Sequence, residues 1–154
     1  MPIAKTVEQL LQQRVVPYAV VPHPHAETSR DSAKSAHIPP ERLAKAVVLA
    51  DAKGFVMAVV PADRHVGVDR LSQRLGRQLK LVDESRIAPI FKDCDVGAIP
   101  PLGMAYGMET VVDDSLVGQP EIYFEAGDHE DLVCVSGEQF LALLKEAQHV
   151  AFSH

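Results

Sequence analysis

The sequence predicts an α+β fold, and three observations predict it. Apolar residues recur at helical spacing at both ends of the chain, and short apolar or β-branched runs bounded by turn residues fill the stretch between. Eleven prolines in 154 residues, several paired or close to glycine, cut that stretch into rigid turns and exclude a plain helical bundle. With 47% hydrophobic residues, the chain can bury a core without disulfide or metal staples, so residues 1–154 are expected to form a single domain.

The elements follow in order. Ile3, Val7, Leu10, Leu11 and Arg14 have the spacing of an amphipathic helix that gives way to the β-branched run of residues 15–21. Thr28, three positions before Asp31, has the pattern of an N-cap and predicts a short helix over residues 29–36. The runs KAVVLA (45–50) and FVMAVV (55–60), separated by Asp51-Ala52-Lys53-Gly54, predict a β-hairpin in the core sheet. Val68, Leu71, Leu75 and Leu79 predict one face of a following helix, and Arg70, Arg74 and Arg77 another. Residues 83–91 read as a short capped helix interrupted by Pro89, after which residues 95–99 lead into a proline-glycine loop. Residues 110–112, 122–125 and 132–135 are strand candidates. Ser136 with Gln139 forms a capping box for a last helix reaching Ala147. There is no internal repeat, linker or low-complexity tract.

Composition excludes several function classes. A net charge of −6 does not suit a sequence-indifferent nucleic-acid binder, so no DNA partner is expected, although a local basic face is compatible with it. The two cysteines, Cys94 and Cys134, stand far apart without any CxxC or Cys/His cluster, which predicts buried thiols in a reducing compartment rather than a zinc site. The N-terminal segment carries charge throughout and lacks the apolar core of a signal peptide, and no run reaches membrane-spanning length. A cytoplasmic protein without membrane partner is expected.

Two features carry chemistry. Lys45 opens an otherwise apolar strand, where an ammonium group is costly unless paired or solvated. It either snorkels to water or sits in a cleft and binds a phosphate or a developing oxyanion. Gly97-Ala98-Ile99-Pro100-Pro101-Leu102-Gly103 combines fixed and free φ angles, giving either a tight connecting turn or a shaped receptor of backbone amides. His129, between Asp128 and Glu130, reads as a solvated acidic turn or as a general base. His23 and His25 belong to a proline-rich loop at a pocket mouth or on the surface. No ligand-spaced third group accompanies these histidines, so no metal is expected, and the absence of a GxSxG elbow leaves no nucleophilic triad.

The segment from Thr28 to Lys45-Ala46-Val47-Val48-Leu49, followed some fifty residues later by GAIPPLG, resembles the YbaK/prolyl-tRNA synthetase-associated editing domain family. The resemblance extends through Val68-Asp69-Arg70 and Leu75-Gly76 to the terminal strand pair and helix. It implies a mixed, barrel-like β-sheet surrounded by helices, and a free-standing hydrolase, without cofactor, that deacylates mischarged aminoacyl-tRNA. By this resemblance Lys45, Gly97 and Pro101 are the catalytic positions. Thr28, Ala98, Ile99, Pro100, Gly103 and His129 contact substrate. From its spacing, the Arg70, Arg74 and Arg77 face is either a solvated charged surface or one that tracks the tRNA acceptor-stem backbone. The implied partners are the aminoacyl-tRNA 3′ end and an aminoacyl-tRNA synthetase. A noncatalytic module that binds aminoacyl-tRNA or a synthetase through the same pocket is the alternative. Pro100 removes one amide donor, and the 125–130 turn departs from the basic or asparagine-containing turn of better-known members.

Overall fold

The computed structural model describes residues 3–26, 28–95 and 97–154. Val96, in the stretch expected to lead into the proline-glycine loop, lies outside the described residues. Among the described residues, five α-helices and eight strands follow in the order α1 Lys5–Gln13, β1 Ala19–Pro22, α2 Ser29–Ser35, β2 Leu43–Asp51, β3 Gly54–Pro61, α3 Val68–Leu75, β4 Lys80–Leu81, α4 Glu84–Ile87, β5 Glu109–Asp113, β6 Glu121–Glu125, β7 Asp131–Ser136, α5 Gly137–Leu143 and β8 Gln148–Val150.

The strands form one mixed sheet in the order β1-β7-β6-β2-β3-β5-β8, with β4 paired to β2. The β2 and β3 hairpin pairs Lys45 with Val60 and Asp51 with Gly54, as the apolar runs predict. Parallel pairings join β2 to β6, β3 to β5 and β5 to β8. The expected mixed sheet with helices is therefore present, but it is not closed. β1 and β8 end the strand order, so among the described residues no ladder completes a barrel.

Side-chain alternation gives the sheet two covered faces. Ala44, Val48, Met57, Val59, Val112, Phe124 and Val133 point into the main core, where Val7 and Leu11 of α1 and Phe140 and Leu143 of α5 cover them. The opposite face carries Leu49, Val56, Ala58 and Val60 under Leu71 of α3. Further along the same face, Leu43 and Leu132 pack on Ala33 of α2. Lys45 has the parity of Leu43 and Leu49 and so belongs to the α2 side.

Two caps act as the sequence predicts. The Thr28 hydroxyl accepts from the Asp31 amide at 3.1 Å, and the Ser136 hydroxyl from the Gln139 amide at 3.1 Å. Three helices are shorter than their apolar periodicity suggests. α3 stops at Leu75 because Gly76 adopts φ +64°, a left-handed C-cap. Leu79 therefore packs into the core from beyond the helix rather than from its face. α4 covers only Glu84–Ile87, ahead of Pro89, and α5 ends at Leu143.

Strand β8 has no period-2 signal in the sequence and is held by tertiary contacts. Buried Asp113 accepts from the Phe152 and Ser153 amides, each at 2.9 Å, and from the Ser153 and Ser115 hydroxyls. Arg64 closes the other side, donating to Ser153 Oγ at 2.6 Å.

Candidate functional site

Lys45, third residue of β2, is half-buried. Burial pulls its ammonium below the ordinary lysine pKa, the Arg30 charge on α2 pulls it further, and Asp63 after β3 opposes both. A lysine that snorkels freely into water would feel neither the burial nor a second cation so strongly. Two cations beside one carboxylate leave a net positive spot suited to a phosphate or an oxyanion.

Next to it lies a buried polar cluster. Ala44 pairs with Phe124 in the parallel β2–β6 ladder, so the next residues along the two strands are Lys45 and Glu125, on the same face. Glu125 is 3% exposed and accepts from the buried Ser32 hydroxyl of α2 at 2.5 Å. His23 Nε2 stands 3.7 Å from Glu125 Oε1, and both side chains are almost fully buried. Burial raises the Glu125 pKa, while the Ser32 hydrogen bond and the nearby His23 and His129 hold it back. Asp131 is raised to about 6 by burial and by Asp128 beside it.

His129, expected in a solvated turn or as a base, is buried at 4% exposure with φ +61°. Its carbonyl accepts from the Ala26 amide at 3.3 Å, and its ring lies 5.3 Å from that of His25. The 125–130 turn is thus folded inward against the residues that precede α2. Sequence reasoning singled out His129 but missed Glu125, Ser32, Arg30 and Asp63. The available signal was Glu125 itself, a carboxylate on the α2 face of an alternating strand.

The 97–103 loop reaches this cluster through the backbone. The Asp95 amide donates to Gly127 O at 2.7 Å, and the Ala98 amide to Asp95 O at 3.1 Å. The loop is also clasped at its ends, since Tyr106 donates to Asp93 Oδ1 at 2.8 Å and the Thr6 amide to Asp93 Oδ2 at 2.9 Å. Gly97 is exposed with φ +83°, and Ile99 is half-buried. Ala98, Pro100, Pro101, Leu102 and Gly103 are buried. A Cβ on Gly103 would collide with Thr110 Oγ1 and come within 3.1 Å of Met108 O. The second half of the loop is therefore a packed foundation, and its open part is Gly97 with the edge of Ile99. The cavity that Gly97 and Ile99 line with Phe91 and Cys94 measures about 20 Å³, room for a single water. The loop and Lys45 do not share that cavity, and the 125–130 turn connects them.

Other expected residues fall elsewhere. The Thr28 hydroxyl is engaged as the α2 cap. Arg70 and Arg74 are exposed on α3, but Arg77 lies past the helix and does not continue their face. It grips Asp51 with two hydrogen bonds of 2.7 and 2.6 Å and reaches Glu109 at 3.4 Å, which locks the β2–β3 turn. Burial pushes the Cys94 thiol up to about 12, so it is not a thiolate nucleophile. Among the described residues no group of three or more His, Cys, Asp or Glu could hold a metal, and no helix is long and apolar enough to cross a membrane.

The fold has counterparts among solved structures. A crystal structure of a protein proposed as a trans-editing enzyme for prolyl tRNA synthetase matches with a TM-score of 0.85 at 21% identity, over 100% of this chain and 98% of that one. The hypothetical protein APE2540 matches with a TM-score of 0.86 at 18% identity, over 97% of this chain and 100% of its own. A protein from Marinobacter aquaeolei VT8, described as a candidate signal transduction protein, matches with a TM-score of 0.78 at 21% identity, over 96% of this chain but 30% of its own. At these identities the likeness is one of fold. No curated protein matches the sequence significantly. The sequence profile of the aminoacyl-tRNA editing domain matches residues 23–143, a span that takes in His23, Lys45, the 97–103 loop and the 125–130 turn, and the chain belongs to that family.

Proposed function

We propose that the protein is a free-standing deacylase that hydrolyses the 3′-terminal ester of mischarged aminoacyl-tRNA. The observation that carries this reading is Lys45: in an editing-domain chain, it holds an ammonium half-buried beside Arg30 and a polar cluster rather than free in solvent. An aminoacyl ester is already activated, so a site that orients it and water and stabilises the oxyanion needs no protein nucleophile. In this reading Lys45 neutralises the terminal phosphate or polarises the ester carbonyl. Water adds to the carbonyl carbon, and the tetrahedral oxyanion then collapses to the free amino acid as the carbon–ribose oxygen bond breaks, the proton given up by the water ending on the ribose hydroxyl. The exposed edge of the loop at Gly97, with Ala98 and Ile99, borders the aminoacyl group, while buried Pro100, Pro101 and Gly103 fix the shape of that edge. His129 lines the turn between loop and lysine. Arg70 and Arg74 follow the acceptor stem, and an aminoacyl-tRNA synthetase supplies the charged tRNA.

The reading is tested by incubating the protein with tRNAs mischarged with alanine, serine, cysteine or threonine. Release of at least one amino acid well above the uncatalysed rate is expected. Retained tRNA binding without release of any would replace the deacylase with a noncatalytic binding module.

A further inference from the structure

Two buried atoms in the cluster beside Lys45 lack hydrogen-bond partners among the described residues, His23 Nε2 and Glu125 Oε2. Their chemistry can be worked out from their neighbours. His23 Nδ1 lies 2.7 Å from the Pro24 carbonyl oxygen, and a carbonyl only accepts, so Nδ1 carries a proton and Nε2 is the ring nitrogen left to face a ligand. On the carboxyl side, Ser32 already donates to Oε1, leaving Oε2 as an acceptor. At 3.7 Å, His23 Nε2 and Glu125 Oε1 are too far apart to hydrogen-bond even with a proton between them. Among the described residues neither His23 Nε2 nor Glu125 Oε2 has a partner, an arrangement that is costly unless a polar group enters. A cationic donor would be met by the carboxylate form of Glu125 and the neutral form of His23, both acceptors.

We propose that Glu125 and His23 form the receptor for the α-ammonium group of the aminoacyl ester. An ammonium supplies three donors and the positive charge that a buried carboxylate lacks. The surroundings fit the polarity of such a substrate. Asp128, Glu130 and Asp131 make the turn side negative, whereas Lys45 and Arg30 make the adjoining side positive. A substrate with an ammonium at one end and a nucleotide phosphate at the other would lie between them. This inference rests on the deacylase reading and adds to it what the site requires of the acyl group: a free α-amine.

The test compares one aminoacyl-tRNA cleaved by the protein with its α-hydroxyacyl counterpart, made by nitrous acid deamination of the same charged tRNA. Wild type should prefer the amino ester by at least about tenfold in kcat/KM, because a site built around buried polar groups rejects an analogue that leaves them unpaired. Glu125→Gln should raise KM for the amino ester several-fold more than for the hydroxy ester, so that the preference between the two shrinks. Equal losses on both esters would make the pair structural and overturn the proposal. If Glu125→Gln does not fold, the wild-type comparison decides alone, and equal rates on the two esters overturn it. If neither ester is cleaved, the deacylase reading fails first. Calorimetry with 3′-alanylamino-3′-deoxyadenosine and its lactoyl analogue then tests the receptor, and equal affinities would reject it.

Discussion

Asp113 shows how much one buried carboxylate can organise. Burial alone would raise its pKa, but the Ser115 and Ser153 hydroxyls and the amides of Phe152 and Ser153 outweigh it and hold the carboxyl below its ordinary value. A depressed folded-state pKa stabilises the fold above the unfolded value of about 4, and that contribution is lost as pH falls through the folded value. Asp113→Asn should therefore cost about 2–4 kcal/mol at neutral pH and make the remaining stability less sensitive to acid. Chemical denaturation at pH 7 and pH 3 measures both effects. An unchanged difference between the two pH values would show that Asp113 is not the acid-labile clasp. Glu125 has the opposite sign: burial raises its pKa, so its ionisation opposes folding as pH rises from the unfolded value towards the folded one.

At the scale of elements, the loop and α3 make separate predictions. Gly103→Ala places a methyl against Thr110 and Met108 and should cost about 1–3 kcal/mol, with reduced deacylation because the foundation of the loop shifts. A melting temperature equal to wild type would contradict that packing. On α3, Arg70→Ala and Arg74→Ala should each weaken tRNA binding and flatten its salt dependence. Arg77→Ala should leave the salt slope unchanged and lower the melting temperature, since Arg77 is held by Asp51 and Glu109. A salt slope that responds to Arg77 alone would reverse this assignment. Periodicity made the β2–β3 hairpin and the Thr28 and Ser136 caps legible in the sequence, because each depends on residues close in the chain. It overextended α3, where Gly76 ended the helix before Arg77. Strand β8 was not legible, because its partners β5 and Asp113 lie some forty residues away and its own residues show no alternation.

Across the whole molecule, the sheet brings the candidate site together from distant segments: β1 supplies the approach to His23, α2 supplies Ser32 and Arg30, β2 supplies Lys45, and β6 supplies Glu125. The sequence marked Lys45, the loop and His129 one by one. It did not show that the 125–130 turn joins the loop to the lysine, since that link is a backbone hydrogen bond from Asp95 to Gly127, which no side chain encodes. Nor did it show that the sheet stays open at β1 and β8. The central claim is that the Lys45 ammonium serves the ester rather than the fold. Its most direct test is single-turnover deacylation of a mischarged tRNA by wild type and Lys45→Ala, with melting temperatures measured on the same samples. The account predicts a loss of about a hundredfold or more in rate, the scale of removing one oxyanion-stabilising group, in a variant that melts within a few degrees of wild type. A folded Lys45→Ala protein with full activity would contradict it.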